Sequence, residues 1–124
     1  MNTKPETTVD TFLALDIRAG RVVRAEPFLE PRKPAIKLWI DFGEPIGVKQ
    51  SSAQLTRRYS PETLVGTDVL AVVNFPPRRV AGFSSEVLVL GVVNPANPGD
   101  VVLVRPDAPD VRPDAPDVRG WELA

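Results

Sequence analysis

The sequence predicts an all-β domain: a five-stranded barrel with a short N-terminal helix and one helical segment between strands three and four. Three observations carry this. Across Ala35–Phe42, Ile36, Leu38, Ile40 and Phe42 alternate with Lys37, Trp39 and Asp41, the period-two signature of a half-buried strand. The strand-like segments fall in the order three, then a capped helical segment, then two. Clusters of turn residues (Gly43-Glu44-Pro45, Pro76-Pro77, Gly82 and Pro95–Gly99) separate them.

The elements follow in order. Thr7–Leu15 reads as a short helix: Thr7 and Asp10 have capping-box spacing, and Phe12, Leu13 and Leu15 supply the apolar stripe. Ile17–Phe28 contains a strand centred on Arg21–Ala25, with Gly20 expected at a bulge or sharp bend. Pro27, Pro31 and Pro34 make a loop carrying Arg32 and Lys33. In Ala35–Phe42, Ile36, Leu38, Ile40 and Phe42 take the inner face, opposite Lys37, Trp39 and Asp41. A third strand, Ile46–Ser51, follows at hairpin distance.

Ser52–Gly66 is expected to be helical. Ser51 or Ser52 serves as a cap, Ser60-Pro61 as a second start and Gly66 as the stop. Val69–Phe75 is a buried strand, Ser85–Val93 a fifth, and Val101–Val104 a last short one. Three strands, a helix and two strands is the order of an OB-fold. A parallel α/β fold would alternate strand and helix regularly, and a sandwich would need about seven strands.

The barrel is expected within residues 1–104. Residues 105–124 form a proline-rich tail in which Val104–Asp110 (VRPDAPD) is repeated as Val111–Asp117 and begun again at Val118-Arg119. A seven-residue unit with two prolines cannot form a coiled coil and predicts an extended or disordered chain. Neutral duplication of a terminal segment explains it more simply than a function does.

Composition removes many chemistries. There is no Cys and no His. Disulfides, thiol nucleophiles, Cys/His zinc sites and imidazole bases are therefore excluded. Asp16, Asp41, Glu62, Asp68 and Glu86 are scattered without the spacing of a carboxylate pair or metal site, and no phosphate-cradling glycine loop occurs. No enzyme activity, cofactor or metal is expected. The first ten residues are polar, and no apolar run approaches the ~18–20 residues of a membrane span, which predicts a cytoplasmic protein.

The net charge of −1 conceals a division. Residues 18–79 carry eleven Lys and Arg against six acids, net +5, while residues 1–17 and 80–124 carry −2 and −4. Local potential, not net charge, attracts a polyanion. The basic set is Arg32, Lys33, Lys37, Lys49, Arg57, Arg58, Arg78 and Arg79. If the barrel closes, several converge on one side, as in the basic groove of a nucleic-acid-binding OB-fold. The same charges also suit a plain solvated face. Phe12, Phe42 and Phe75 fit core positions, whereas Trp39 and Phe83 suit an exposed role or a dimer contact. Ser51, Ser52, Gln54, Asn74, Ser84, Ser85 and Glu86 stand at strand ends, where they can hydrogen-bond a ligand or serve as caps and turn satisfiers.

Several of these segments resemble the CsaA family. They are Leu15–Gly20, Pro34–Leu38, Ile40–Gly43, Ile46–Gln54, Val72–Phe83 and Ser85–Gly91, and the Asn-Phe-Pro-Pro-Arg-Arg stretch at 74–79 is specific to that family. CsaA proteins belong to a wider class of tRNA-binding domains found appended to some aminoacyl-tRNA synthetases. The resemblance implies a non-catalytic OB-fold homodimer that binds tRNA. It also implies a chaperone role toward unfolded or secretory preproteins, and so a link to export. It carries the tRNA contacts onto Asn74, Ser85 and Glu86 with Arg78 and Arg79 alongside. Lys33, Lys37, Lys49 and Ser51 are further candidates on matching segments. Ser84 stands where CsaA relatives usually carry Lys, and Val87-Leu88 where the wider class commonly has Gly-Met.

Overall fold

A computed structural model describes residues 3–108 and 117–124. After a short helix α1 (Val9–Leu13) come β1 (Ile17–Phe28), β2 (Ala35–Asp41), β3 (Val48–Ala53), helix α2 (Pro61–Leu64) and β4 (Asp68–Val72). The hairpin strands β5 (Arg78–Val80) and β6 (Phe83–Ser85) follow, then β7 (Leu88–Val89), β8 (Gly91–Asn94) and β9 (Asn97–Leu103). Five strands form one antiparallel sheet in the order β3-β2-β1-β4-β7, while β5-β6 and β8-β9 are separate two-stranded ribbons. The large sheet curls into a half-barrel of OB type. Its two ends are drawn together where the Glu86 amide donates to the Gln50 carbonyl (2.9 Å) and the Ser51 hydroxyl to the Val87 carbonyl (2.8 Å).

The core follows the alternation in β2. Ile36, Leu38 and Ile40 point inward and pack with Val22, Phe42, Leu55, Leu64, Val69, Ala71, Val87 and Leu103. Consecutive residues of β4 are buried because both its faces are covered. Val69 and Ala71 belong to this core, and Leu70 and Val72 to a second cluster with Ile17 and Ala19. That double coverage explains why β4 reads as a continuous apolar run.

Gly20 and the bulge of β1 are separate features. The register passes from Val22↔Ile40 to Arg24↔Trp39, so Val23 is the extra residue. Gly20 is instead a point of close approach. A Cβ there would lie 2.6 Å from Ile40 Cγ2 and 2.7 Å from the Phe42 ring.

Four expectations need correction. Ser51 and Ser52 lie within β3 and cap nothing, and the helix expected over 52–66 contracts to α2. The second start is correct: the Ser60 hydroxyl accepts from the Thr63 amide, the Thr63 hydroxyl from the Ser60 amide, and Gly66 turns with φ +88°. Helix α1 is shorter than expected, with Thr8 rather than Thr7 at its start; Thr7 instead shares a hydrogen bond with Thr11. The strand expected over 85–93 divides into β6, β7 and β8, which pair with β5, β4 and β9 in turn. It changes partner each time the curling sheet carries it past a new edge.

Most of the proline-rich repeat, 109–116, lies outside the described residues. The end of the chain does not run free, although it was expected in the extended tail. The Ala19 amide donates to the Trp121 carbonyl, Gly120 to Ala19, and Leu123 to Ile17, which adds a further edge to the first half of β1. Alternating charges fix it: Arg119 reaches Asp41 (2.8 Å) and Asp117 (2.8 Å), and Arg21 reaches Asp117 (3.2 Å) and Asp68 (2.8 Å). Among the described residues no helix is long and apolar enough to cross a membrane.

Candidate nucleic-acid interface

The outer face of β2 carries Lys37 and Trp39, which stand opposite Ser52 and Gln50 of β3. The β5–β6 hairpin lies against this face. Its two-residue turn places Ala81 (φ +46°) and Gly82 (φ +83°) in the left-handed region, the type I′ geometry that matches strand twist. Besides the Glu86–Gln50 backbone bond, side chains hold the hairpin and the residue after it to β3. The Gln50 side chain donates to the Ser84 carbonyl (2.8 Å), the Ser52 amide to Ser85 Oγ (3.1 Å), and the Gln50 amide to Glu86 Oε1 (3.0 Å).

Between hairpin, β3 and the proline-rich loop runs a groove of about 500 Å³, whose walls include Lys33, Gln54, Phe75, Arg78, Ser85 and Leu88. Alternation in the hairpin decides which arginine meets it. Arg78 pairs with Ser85 and shares the groove face, while Arg79 pairs with Ser84 on the opposite face and donates to the Gly82 carbonyl (2.9 Å). Phe75 was assigned to the core but is 43% exposed, and Leu88 is 50% exposed, so both present apolar wall. The groove can hold an anion at Lys33 and Arg78 beside an apolar surface.

The residues expected to bind ligand differ in where they stand and in what already occupies them. Lys33, Arg78, Ser85 and Glu86 line the groove, with Lys37 on the adjoining outer face of β2. Four polar candidates are occupied within the protein. Ser51 is 1% exposed, and its hydroxyl is spent on Val87. Asn74 accepts from the Asp16 amide (2.9 Å) and donates to the Ala14 carbonyl (3.0 Å), tying the end of β4 to the start of β1. Ser85 and Glu86 hold β3, as described. Lys49 lies at the far end of β3, in register with Ile40, and does not reach the groove.

Arg57 and Arg58 do not converge with Arg78 as expected. Arg58 pairs with Asp100 of β9, and Arg57 lies beside Gly99. The Arg58 guanidinium, aided by the Asn94 amide, holds the Asp100 carboxyl at about 2. The sequence reading missed Leu88 as a groove residue, while Gln54, named there as a candidate ligand contact, lines the groove. It also missed Arg24, because strict alternation puts Arg24 inside until the bulge at Val23 is known. Among the described residues no cluster of carboxylates could hold a metal ion.

This geometry meets a family match across most of the fold. Residues 17–113 fit the family model described as "Putative tRNA binding domain".

The chain belongs to the tRNA-binding domain family. Within that family it is similar to the chaperone CsaA of Bacillus anthracis. Identity is 52%, the match covers 97% of this chain and 100% of that one, and the TM-score is 0.83. A CsaA chaperone protein from Picrophilus torridus is 39% identical over 96% of this chain and 100% of its own, with a TM-score of 0.81. The methionine–tRNA ligase of Methanothrix thermoacetophila is 37% identical over 105 residues, which are 84% of this chain and 14% of the ligase. The chain thus spans about one-seventh of the length of the ligases it matches.

Proposed function

We propose that the protein is a non-catalytic tRNA-binding module that acts as a homodimer in the cytoplasm. Its recognition surface is the groove between β3 and the β5–β6 hairpin, together with the adjoining outer face of β2. The observation that carries this reading is the meeting of Lys33 and Arg78 at one open groove, with Lys37 on the adjoining face of β2, in a chain of the tRNA-binding domain family. Phosphate contacts from these cations supply affinity with little sequence preference, and shape selects the folded RNA. Exposed Val92 and Val102, paired across the β8–β9 ribbon, offer an apolar surface for a second copy. Residues 1–104 form the binding domain, with 105–124 appended to it.

Replacing Arg78 and Arg79 together by Ala tests the face. The double variant is expected to lose roughly tenfold or more in tRNA affinity and to flatten the salt dependence. Unchanged affinity would place the site elsewhere.

One observation favours a second reading. Phe75 and Leu88 give the groove apolar walls, which suits an unfolded or secretory preprotein, and the solved relatives are described as chaperones. A chaperone of this kind suppresses client aggregation at stoichiometric dimer and keeps that ability in high salt. Failure to suppress would remove this reading. The positively charged start of a signal peptide is repelled by the same cations, so tRNA ranks first.

A further inference from the structure

We infer that Trp39, Arg24 and Phe83 form a stacking platform for one unpaired nucleotide base, beside the groove and distinct from it. The inference rests on the tRNA-binding reading and assigns it a second contact of different chemistry.

The platform is built by the bulge in β1. In unbroken alternation Val23 would stand opposite Trp39 and Arg24 would turn inward. The extra residue shifts the register so that Arg24 pairs directly with Trp39 on the outer face. The guanidinium then lies over the indole, 4.4 Å from the ring centroid. Phe83, delivered by the hairpin, meets Trp39 edge-on at 5.9 Å and Phe28 at 5.5 Å, so the indole is backed by a fixed aromatic layer. The Lys37 ammonium lies 4.7 Å from the Phe28 ring and 5.0 Å from Phe83. Two cations therefore stand beside three rings, of which Phe28 is buried and Trp39 and Phe83 are half-buried. The Arg24 side chain is 63% exposed and pairs with Glu26.

The chemistry of this patch selects its occupant. An indole with a guanidinium plane offers π-stacking to a flat, electron-rich ring. Lys37 and Arg24 offer charge to an anion attached to that ring. A nucleobase with its phosphate has both parts. A base inside a duplex is already stacked on both faces and cannot enter, so the occupant is a loop, bulge or end nucleotide. The patch sits on the outer face of the second strand, so one RNA chain can cross it and continue over the hairpin into the groove.

Trp39 emission tests this directly. The only other tryptophan, Trp121, is 57% exposed on the terminal segment and is removed by Trp121→Phe. In that full-length variant, a single-stranded RNA hexanucleotide and total tRNA are expected to quench Trp39 on saturation, and a blunt RNA duplex is not. Trp39→Leu should lower hexanucleotide affinity roughly 5- to 150-fold, the range of one base–aromatic stack, while Trp39→Phe keeps most of it. A thermal melt confirms that each variant is folded. If tRNA binds by anisotropy but leaves Trp39 emission unchanged, the platform is wrong and the tRNA reading stands. If Trp39 emission changes with protein concentration alone and RNA adds nothing, the patch is a self-interface and the inference falls. If no tRNA binds by anisotropy, the reading beneath it falls too.

Discussion

Replacing Ser51 by alanine separates a ligand contact from a structural one. The resemblance places Ser51 among the tRNA contacts, whereas the structure buries it on β3 against the segment that leads into β7. Its hydroxyl donates to the Val87 carbonyl at 2.8 Å and lies 3.4 Å from Ser85 Oγ. Removing the hydroxyl leaves a buried carbonyl without that donor, which costs about 1–2 kcal/mol. Unfolding entropy of about 2 cal/mol/K per residue amounts to about 0.25 kcal/mol/K for a chain of this length. The melting temperature of Ser51→Ala should therefore fall by about 4–8 °C. Measured well below that temperature, tRNA affinity should stay within about twofold, since 1% exposure leaves nothing for RNA to touch. An unchanged melting temperature with a several-fold loss of tRNA affinity would refute the assignment of Ser51 to the barrel seam.

Three further outcomes are expected. Arg78→Ala should weaken tRNA binding and reduce the salt slope by about one ion, while Arg79→Ala, on the other face of the hairpin, should do markedly less in the same titration. Gly20→Ala drives a methyl to within 2.6 Å of Ile40 and 2.7 Å of Phe42, and should destabilise by about 1–3 kcal/mol in a denaturant melt. Asp117 is held below the ordinary carboxylate range, first by the Arg119 backbone N–H and then by the Arg119 and Arg21 side chains. A carboxyl depressed on folding contributes stability above its unfolded value, and loses it as pH falls through the folded one. Asp117→Asn should therefore lower the melting temperature at pH 7, and the difference from the unchanged protein should shrink as pH falls below the ordinary carboxylate range.

Local pattern carried most of the fold. The alternation in β2, the Ser60-Pro61 start and the Gly82 turn all depend on near neighbours in sequence, and all three stand where the residues place them. Expectations failed where a long-range partner decides the outcome. Ser51-Ser52 looks like a helix cap, yet β2 pairs with it and keeps it in a strand. Gly20 looks like a bulge, yet it is small because Ile40 and Phe42 cross it, and the bulge falls three residues later. The chain end looks like a free tail, yet Arg119 finds Asp41, 78 residues earlier.

The same division holds at the site. That Lys33 and Arg78 meet at the groove and Lys37 stands on the adjoining face of β2 follows from loop position and strand alternation. The roles of Ser51, Asn74, Ser85 and Glu86 were not legible, since a polar side chain at a strand end serves a ligand or a neighbouring backbone equally well. Arg24 was hidden because a single extra residue reverses which face it takes.

The measurement that bears most directly on the function is a fluorescence-anisotropy titration of total tRNA with the full-length protein at two salt concentrations. Binding at micromolar strength or tighter that falls steeply as salt rises is the expected result, because Lys33, Lys37 and Arg78 act through phosphates. No binding at the lower salt would contradict the tRNA reading and leave the apolar-walled groove to an unfolded polypeptide.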